Sequence, residues 1–396
     1  MKKIIPNLFF LFLTSPILSP SVGGITIYIS AIILFFDFYF LKWFQKNITK
    51  KILIETIFFL VLMLLASRSL ILVVKSIILL FSVVYTYYCY NTNKFYLYRW
   101  VAINICVALI QFLFVFINPD FATFIGPTNI ANSIWGEYAG PTFTNFYSIS
   151  ILPRVSGLSR EGGFFASLLG VTFFLFLYDK RQPNKSKKFY FILFILGLLI
   201  SLSKTSIFIL VVPLIIGLRR YINILGVFGL TTFYSIITTL ICYYININTH
   251  FFIDISNITF LQRFAGYIFA PYAHLVNFFI GIKLPDLLSN YGHISTYIIS
   301  VLKETNSFEF CGLPYFYLGY GVLSFLVFLL YIVLIGFDAT STALIILLTT
   351  NVTPLTNDGF VVLAWLLGFI LSRNKKSKPN NNNNYILHNK LNYNRL

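Results

Sequence analysis

Apolar runs of roughly 15 to 22 residues recur from one end of this chain to the other, each close to the length a helix needs to cross the hydrocarbon core of a bilayer. That repetition predicts an all-α polytopic integral membrane protein. Composition leaves no room for a soluble alternative: of 396 residues 58% are hydrophobic and only 10% charged, with a mean hydropathy of +0.82. The abundance of Phe, Ile, Asn, Lys and Tyr partly follows AT-rich codon usage, so its 45 Phe are not 45 functional choices. No internal repeat marks an inverted-repeat transporter.

Apolar runs set against charged breaks place spans near 4–18, 22–41, 52–66, 70–90, 100–118, 161–178, 189–201, 205–218, 221–245, 313–336, 339–351 and 358–371, about twelve in all (10–12). Alternating sides from a cytoplasmic N-terminus puts 21 of the 29 lysines and arginines inside and leaves eight outside or within spans. That is the bias of the positive-inside rule, and it fixes orientation better than any single span. The net charge of +17 then reads as a topology signal and an attraction to anionic lipid heads, not to nucleic acid. Residues 1–372 form one transmembrane domain, and the Asn-rich 373–396 a disordered cytoplasmic tail. Lys2-Lys3 and Ser15-Pro16 outline a signal peptide, but without a small-x-small cleavage pattern the run reads as an uncleaved first span. Cys89, Cys106, Cys242 and Cys311 have neither CxxC nor zinc-ligand spacing.

Two stretches, about 119–160 and about 246–311, are too long to be simple turns, and both fall outside. The first ends in Pro153-Arg154-Val155-Ser156-Gly157-Leu158-Ser159-Arg160-Glu161-Gly162-Gly163. Ser159 as N-cap would start a helix at Arg160 and put Glu161 in its first turn. Gly162 and Gly163 let a backbone or ligand approach closely, and the free N–H groups of a helix start suit a phosphate. Arg154 and Arg160 fit two roles, anchoring the loop at the head groups or gripping an anion. In the second stretch Phe260, Phe264, Tyr267 and Ile268 make one apolar stripe with Arg263 off it, the pattern of an interfacial helix. His274, Lys283 and His293 follow; the histidines are either surface residues or groups able to take a proton near neutral pH. Lys204, in a short outer turn, either snorkels or meets a ligand. Asp37 and Glu55, about one turn from the inner ends of their spans, reach the Lys42–Lys51 loop and read as structural. No chain of intramembrane acids resembles a proton relay.

Arg154-x-x-Gly157-x-x-x-Glu161-Gly162-Gly163 opening a span resembles the Arg-x-x-Gly…Glu-Pro-Ser stretch of Wzy-type O-antigen and capsular polysaccharide polymerases, relatives of the O-antigen ligases. Ser203-Lys204-Thr205 resembles their Ser-Arg/Lys-Thr/Ser stretch between two spans. Arg263 before Phe278-Phe279-Ile280-Gly281-Ile282, and the region from His293 to Gly319-Tyr320-Gly321, are similar to the family's later motifs. The likeness covers roughly residues 150–330. Gly-Gly stands where the family has Pro-Ser after Glu161, a second Gly is missing after Gly281, and Tyr320 stands where an acid is frequent.

The resemblance implies an all-helical glycosyltransferase of the GT-C type in a bacterial cytoplasmic membrane. Its substrates would be undecaprenyl-pyrophosphate-linked oligosaccharides, with a chain-length regulator and a flippase as protein partners. Arg154, Arg160, Glu161, Arg263 and His293 are the catalytic candidates, and Gly162, Gly163, Lys204 and Lys283 the substrate-binding ones. Fixed cations would stabilise the departing pyrophosphate, and Glu161 or His293 would take the proton of the attacking hydroxyl. Direct displacement inverts the anomeric carbon; no metal or other cofactor is expected, since the outer loops carry no compact carboxylate set. An O-antigen ligase shares donor and leaving group. A lipid-linked oligosaccharide flippase, from a different class, would carry its charges in a midplane cavity.

Overall fold

The computed structural model describes residues 3–23, 25–144, 146, 153–179, 184–203, 240, 279–281, 319–335 and 354–376. The described part is mostly helical. Its first helix, α1 (Ile4–Thr14), ends in a 3-10 turn at Pro16–Leu18. A small hairpin follows, β1 (Ser21–Val22) pairing antiparallel with β2 (Ile25–Thr26), with Gly23 after β1 at φ +57°. Next come α2 (Ile29–Ile33), a 3-10 turn at Leu34–Phe36, and α3 (Phe38–Asn47).

The expected span over 22–41 is therefore not one helix. Gly23, at positive φ, turns the chain, and Asp37 restarts it as the N-cap of α3. Its carboxylate accepts from the backbone N–H of Tyr39 (3.0 Å) and Phe40 (3.2 Å), and from Tyr85 Oη–H (3.0 Å). Asp37 is thus structural, as expected, but through a helix start and a phenol rather than the lysine loop.

Four expected spans appear close to their predicted limits: α4 (Lys50–Ser67), α5 (Leu70–Asn91), α6 (Leu97–Ile117) and, after the first long stretch, α9 (Gly162–Tyr178). That stretch is not a plain loop, because it folds α7 (Pro119–Phe124) back on α6 and α8 (Pro127–Trp135) against the Pro16–Leu18 turn. Asn118 caps α7, accepting from Phe121 N–H at 3.0 Å, and a proline opens each helix where a missing N–H does no harm. Beyond α9 lie α10 (Asn184–Ser201), α11 (Val322–Ile335) and α12 (Gly359–Lys376), numbered among the described helices. The last runs on past residue 372, into what the sequence suggested was tail. Apart from Leu240, the expected spans at 205–218, 221–245 and 339–351 and the Phe260–Ile268 stripe lie outside the described residues.

Helices α5 and α6 are long and apolar enough to cross a membrane. Helices α9 and α12 pack on one another at the centre and are buried on nearly every side, as all-round apolar helices must be. Helix α5 backs α12, and α10 lies against both α6 and α9. Outward faces are also apolar: Leu65 of α4, Leu70 of α5 and Ile117 of α6 are each about two-thirds exposed or more. Continuous exposed apolar surface on this scale would be a liability in water.

Candidate functional site

The site is built from α6 outward. Two carboxamides, Asn104 and Gln111, sit seven residues apart on one face of this helix, apolar beyond Arg99 in its first turn, and both are fully buried. Asn104 donates from Nδ2 to Thr14 O (2.9 Å) and accepts at Oδ1 from Leu158 N–H (2.8 Å). Gln111 donates from Nε2 to Ile125 O (2.8 Å) and Gly157 O (3.1 Å), and its Oε1 accepts from Gly157 N–H (2.9 Å). Loop backbone at Gly157-Leu158 is thereby held beside the middle of α6, with its polar groups satisfied by side chains rather than water.

Gly157 is required there on two counts. Its φ is +55°, and a Cβ would overlap Asn104 Oδ1 and come within 2.7 Å of Asn104 O. From this anchor the chain climbs through Ser159 and Arg160 into α9. The helix begins at Gly162, not at Arg160, and Glu161 rather than Ser159 occupies the N-cap position without a side-chain capping bond. A competing hydrogen bond explains the delay. Phe143 N–H donates to Arg160 O (2.9 Å), taking the carbonyl that a helix starting at Arg160 would need.

Arg154 folds over the start of α9. A Cβ at Gly162 would meet Arg154 Nε at 2.5 Å and its Cγ at 3.1 Å, so the missing side chain at Gly162 makes room for a guanidinium. Arg160 is held from the other side. Its Nη2 donates to Thr26 Oγ1 (2.8 Å) on the hairpin, and its guanidinium carbon lies 5.9 Å from the centre of the Tyr28 ring. Tyr28 Oη–H in turn donates to Asp358 Oδ1 at 3.1 Å. Burial, and secondarily the negative charge of Asp358, hold the Tyr28 phenol above its ordinary range against the opposing charge of Arg160. Tyr28 therefore stays a hydrogen-bond donor.

Asp358 opens α12, its backbone carbonyl taking Val361 N–H (2.9 Å) and Val362 N–H (3.0 Å). The starts of α9 and α12 are tied by an edge-on contact of Phe164 with Phe360, ring centres 5.6 Å apart. Gly359 presses on α1, where a Cβ would overlap Leu13 O.

Of the residues singled out in the sequence, Arg154, Arg160, Glu161, Gly162 and Gly163 gather at the N-terminus of α9. Lys204, Arg263, Lys283, His293 and His274 lie outside the described residues. Thr26, Tyr28, Asn104, Gln111 and Asp358 were missed. The carboxamide pair on an apolar helix was a readable signal. Tyr28 and Asp358 had none beyond sharing a side in the topology. Among the described residues no group of three or more His, Cys, Asp or Glu side chains could hold a metal. No known family, curated protein or solved structure matches the chain.

Proposed function

We propose that this chain is a polytopic membrane glycosyltransferase that polymerises undecaprenyl-pyrophosphate-linked repeat units into O-antigen or capsular polysaccharide on the outer face of a bacterial cytoplasmic membrane. The membrane part of the reading is supported by the length of α5 and α6, the apolar outward faces and the lysine and arginine bias. About 31 Å of helix is available in the 21 residues of α6, and the Gly157-Leu158 backbone sits beside its middle. Irregular backbone at such depth is tolerated only where protein satisfies it or where it lines a polar cavity. Asn104 and Gln111 meet that condition.

The observation that carries the chemical reading is the pair of arginines at the N-terminus of α9, one laid over Gly162 and the other oriented by Thr26 and Tyr28. Fixed guanidinium groups and the N–H groups of a helix start are what a departing pyrophosphate requires, and each such donor is worth a few kcal/mol in a partly dehydrated site. The acceptor hydroxyl attacks the anomeric carbon as the bond to the phosphate oxygen breaks, with inversion. Its proton goes to Glu161 or His293. Helix α7, packed on α6, and α8, packed on the Pro16–Leu18 turn, would limit water that otherwise competes as acceptor.

A flippase is the second reading, favoured by the depth of the Gly157 loop. Deletion of the gene separates the readings. In a host whose lipid carries a core oligosaccharide, a strain lacking a polymerase still caps that core with one repeat unit, since ligation proceeds on the unextended donor. A strain lacking a ligase leaves bare core with polymer on the lipid carrier, and one lacking a flippase leaves bare core without polymer. Gel separation of surface glycolipid reads this directly, and loss of the one-repeat band would overturn the polymerase reading.

A further inference from the structure

Asn357 is anomalous among the buried carboxamides. Its side chain is 3% exposed, and neither Nδ2 nor Oδ1 has a hydrogen-bond partner among the described residues. Asn104 and Gln111, equally buried, use both ends of their side chains. Leaving a buried donor and acceptor unmet costs the fold their desolvation with nothing in return, so packing alone does not account for Asn357.

Its position supplies the missing reason. Asn357 adjoins Asp358, which accepts from Tyr28, whose ring lies beneath Arg160. The segment carrying it is fixed, because Trp365 Nε1–H donates to Pro354 O at 2.9 Å and Phe360 packs on Phe164 at the head of α9. A phosphate offers acceptors only and would be repelled by Asp358. A sugar hydroxyl is at once donor and acceptor, matching both unmet ends of a carboxamide. Arg160 and the start of α9 suit the anion; Asn357 suits the neutral ring joined to it.

We propose that the Asn357 carboxamide is the sugar-binding group of the Arg160 site, bonded to hydroxyls of the glycosyl residue attached to the diphosphate. This rests on the reading of that site as one for a lipid-linked glycosyl diphosphate. The test uses the full chain in nanodiscs with farnesyl diphosphate and with farnesyl diphosphates bearing glucose, galactose or N-acetylglucosamine. The unaltered protein should bind at least one sugar-bearing probe about tenfold tighter than the bare one. Asn357→Leu and Asn357→Ala should abolish that preference, leave the affinity for farnesyl diphosphate unchanged, and melt no lower than the parent without ligand, since each removes two unmet polar groups. Preference retained in both variants, no preference in the parent, or a lowered melting temperature in both variants would overturn the assignment while farnesyl diphosphate binding stands. Failure of the parent to bind farnesyl diphosphate would remove the underlying reading and this one with it.

Discussion

Gly157→Ala tests whether the loop carrying both arginines is held in place from α6. A left-handed alanine costs about 1 to 2 kcal/mol relative to glycine. The added Cβ overlaps Asn104 Oδ1 and approaches Asn104 O to 2.7 Å, so the carboxamide must leave its place. Leu158 N–H and Thr14 O then lose partners now at 2.8 and 2.9 Å, at about 1 to 3 kcal/mol for each buried group. The total, about 3 to 8 kcal/mol, is a large share of ordinary folding stability.

Gly136→Ala is the control without a clash. Its φ is also +55°, with ψ −123°, so alanine is strained there, but a Cβ meets nothing within 4 Å and only a backbone cost of about 1 to 3 kcal/mol applies. In detergent, thermal midpoints read by the surviving monodisperse fraction should separate the two by about 3 to 10 °C. Long polymer should vanish with Gly157→Ala and persist with Gly136→Ala. In the cycle with Asn104→Ala, the double variant should cost less than the sum of the singles, because removing the carboxamide removes part of the clash. Coincident midpoints for the two glycine variants would refute the anchoring argument.

Replacing Arg154, Arg160 or Arg263 by Ala should leave the protein in the membrane and eliminate long polymer on glycolipid gels, with Lys rescuing poorly because it lacks the planar fork; normal ladders from all three Ala variants would dispose of the phosphate clamp. Cysteines placed at Asn145 and Asn290 should label in intact cells and one at Ser377 should not, and the reverse pattern would put the site on the wrong side of the membrane. Tyr28→Phe should lower polymer synthesis about tenfold at constant protein level, because it keeps the ring beneath Arg160 but removes the hydroxyl that faces Asp358 and Arg160, stranding Asp358. Tyr98→Phe, which breaks the bond to Asp179 at 3.2 Å, should lower the thermal midpoint while sparing synthesis; equal loss of synthesis in both would make the Tyr28 contact merely structural.

Hydrophobicity revealed the helices whose ends coincide with charge. Helices α4, α5, α6 and α9 fall within a few residues of the apolar runs that announced them. It failed over 22–41, where the run reads as a span but a hairpin turning at Gly23 and the capping carboxylate of Asp37 interrupt the helix. Local turn chemistry overrode average hydropathy there. The same chemistry hid α7 and α8 in plain view, since Asn118-Pro119 and Gly126-Pro127 are helix starts by cap and proline placement alone. The start of α9 was not recoverable in this way, because what delays it is Phe143 N–H, a partner from another turn of the chain.

Site residues divide along the same line. Arg154, Arg160 and Glu161 were legible because charge is conspicuous beside an apolar run. Asp358 was not, and the reason lies in its likeness to two other acids. Asp37, Asp179 and Asp358 are all buried, and each accepts from a tyrosine hydroxyl, Tyr85, Tyr98 and Tyr28 respectively. A phenol bonded to a carboxylate is a way of keeping an acid inside a bundle, and by itself it marks nothing. What sets the third pair apart is Arg160, brought over the Tyr28 ring from the loop that Asn104 and Gln111 pin to α6. Tyr28 and Asp358 are 330 residues apart, and only the side-by-side packing of α9 and α12 turns an ordinary buried acid into a neighbour of the arginines.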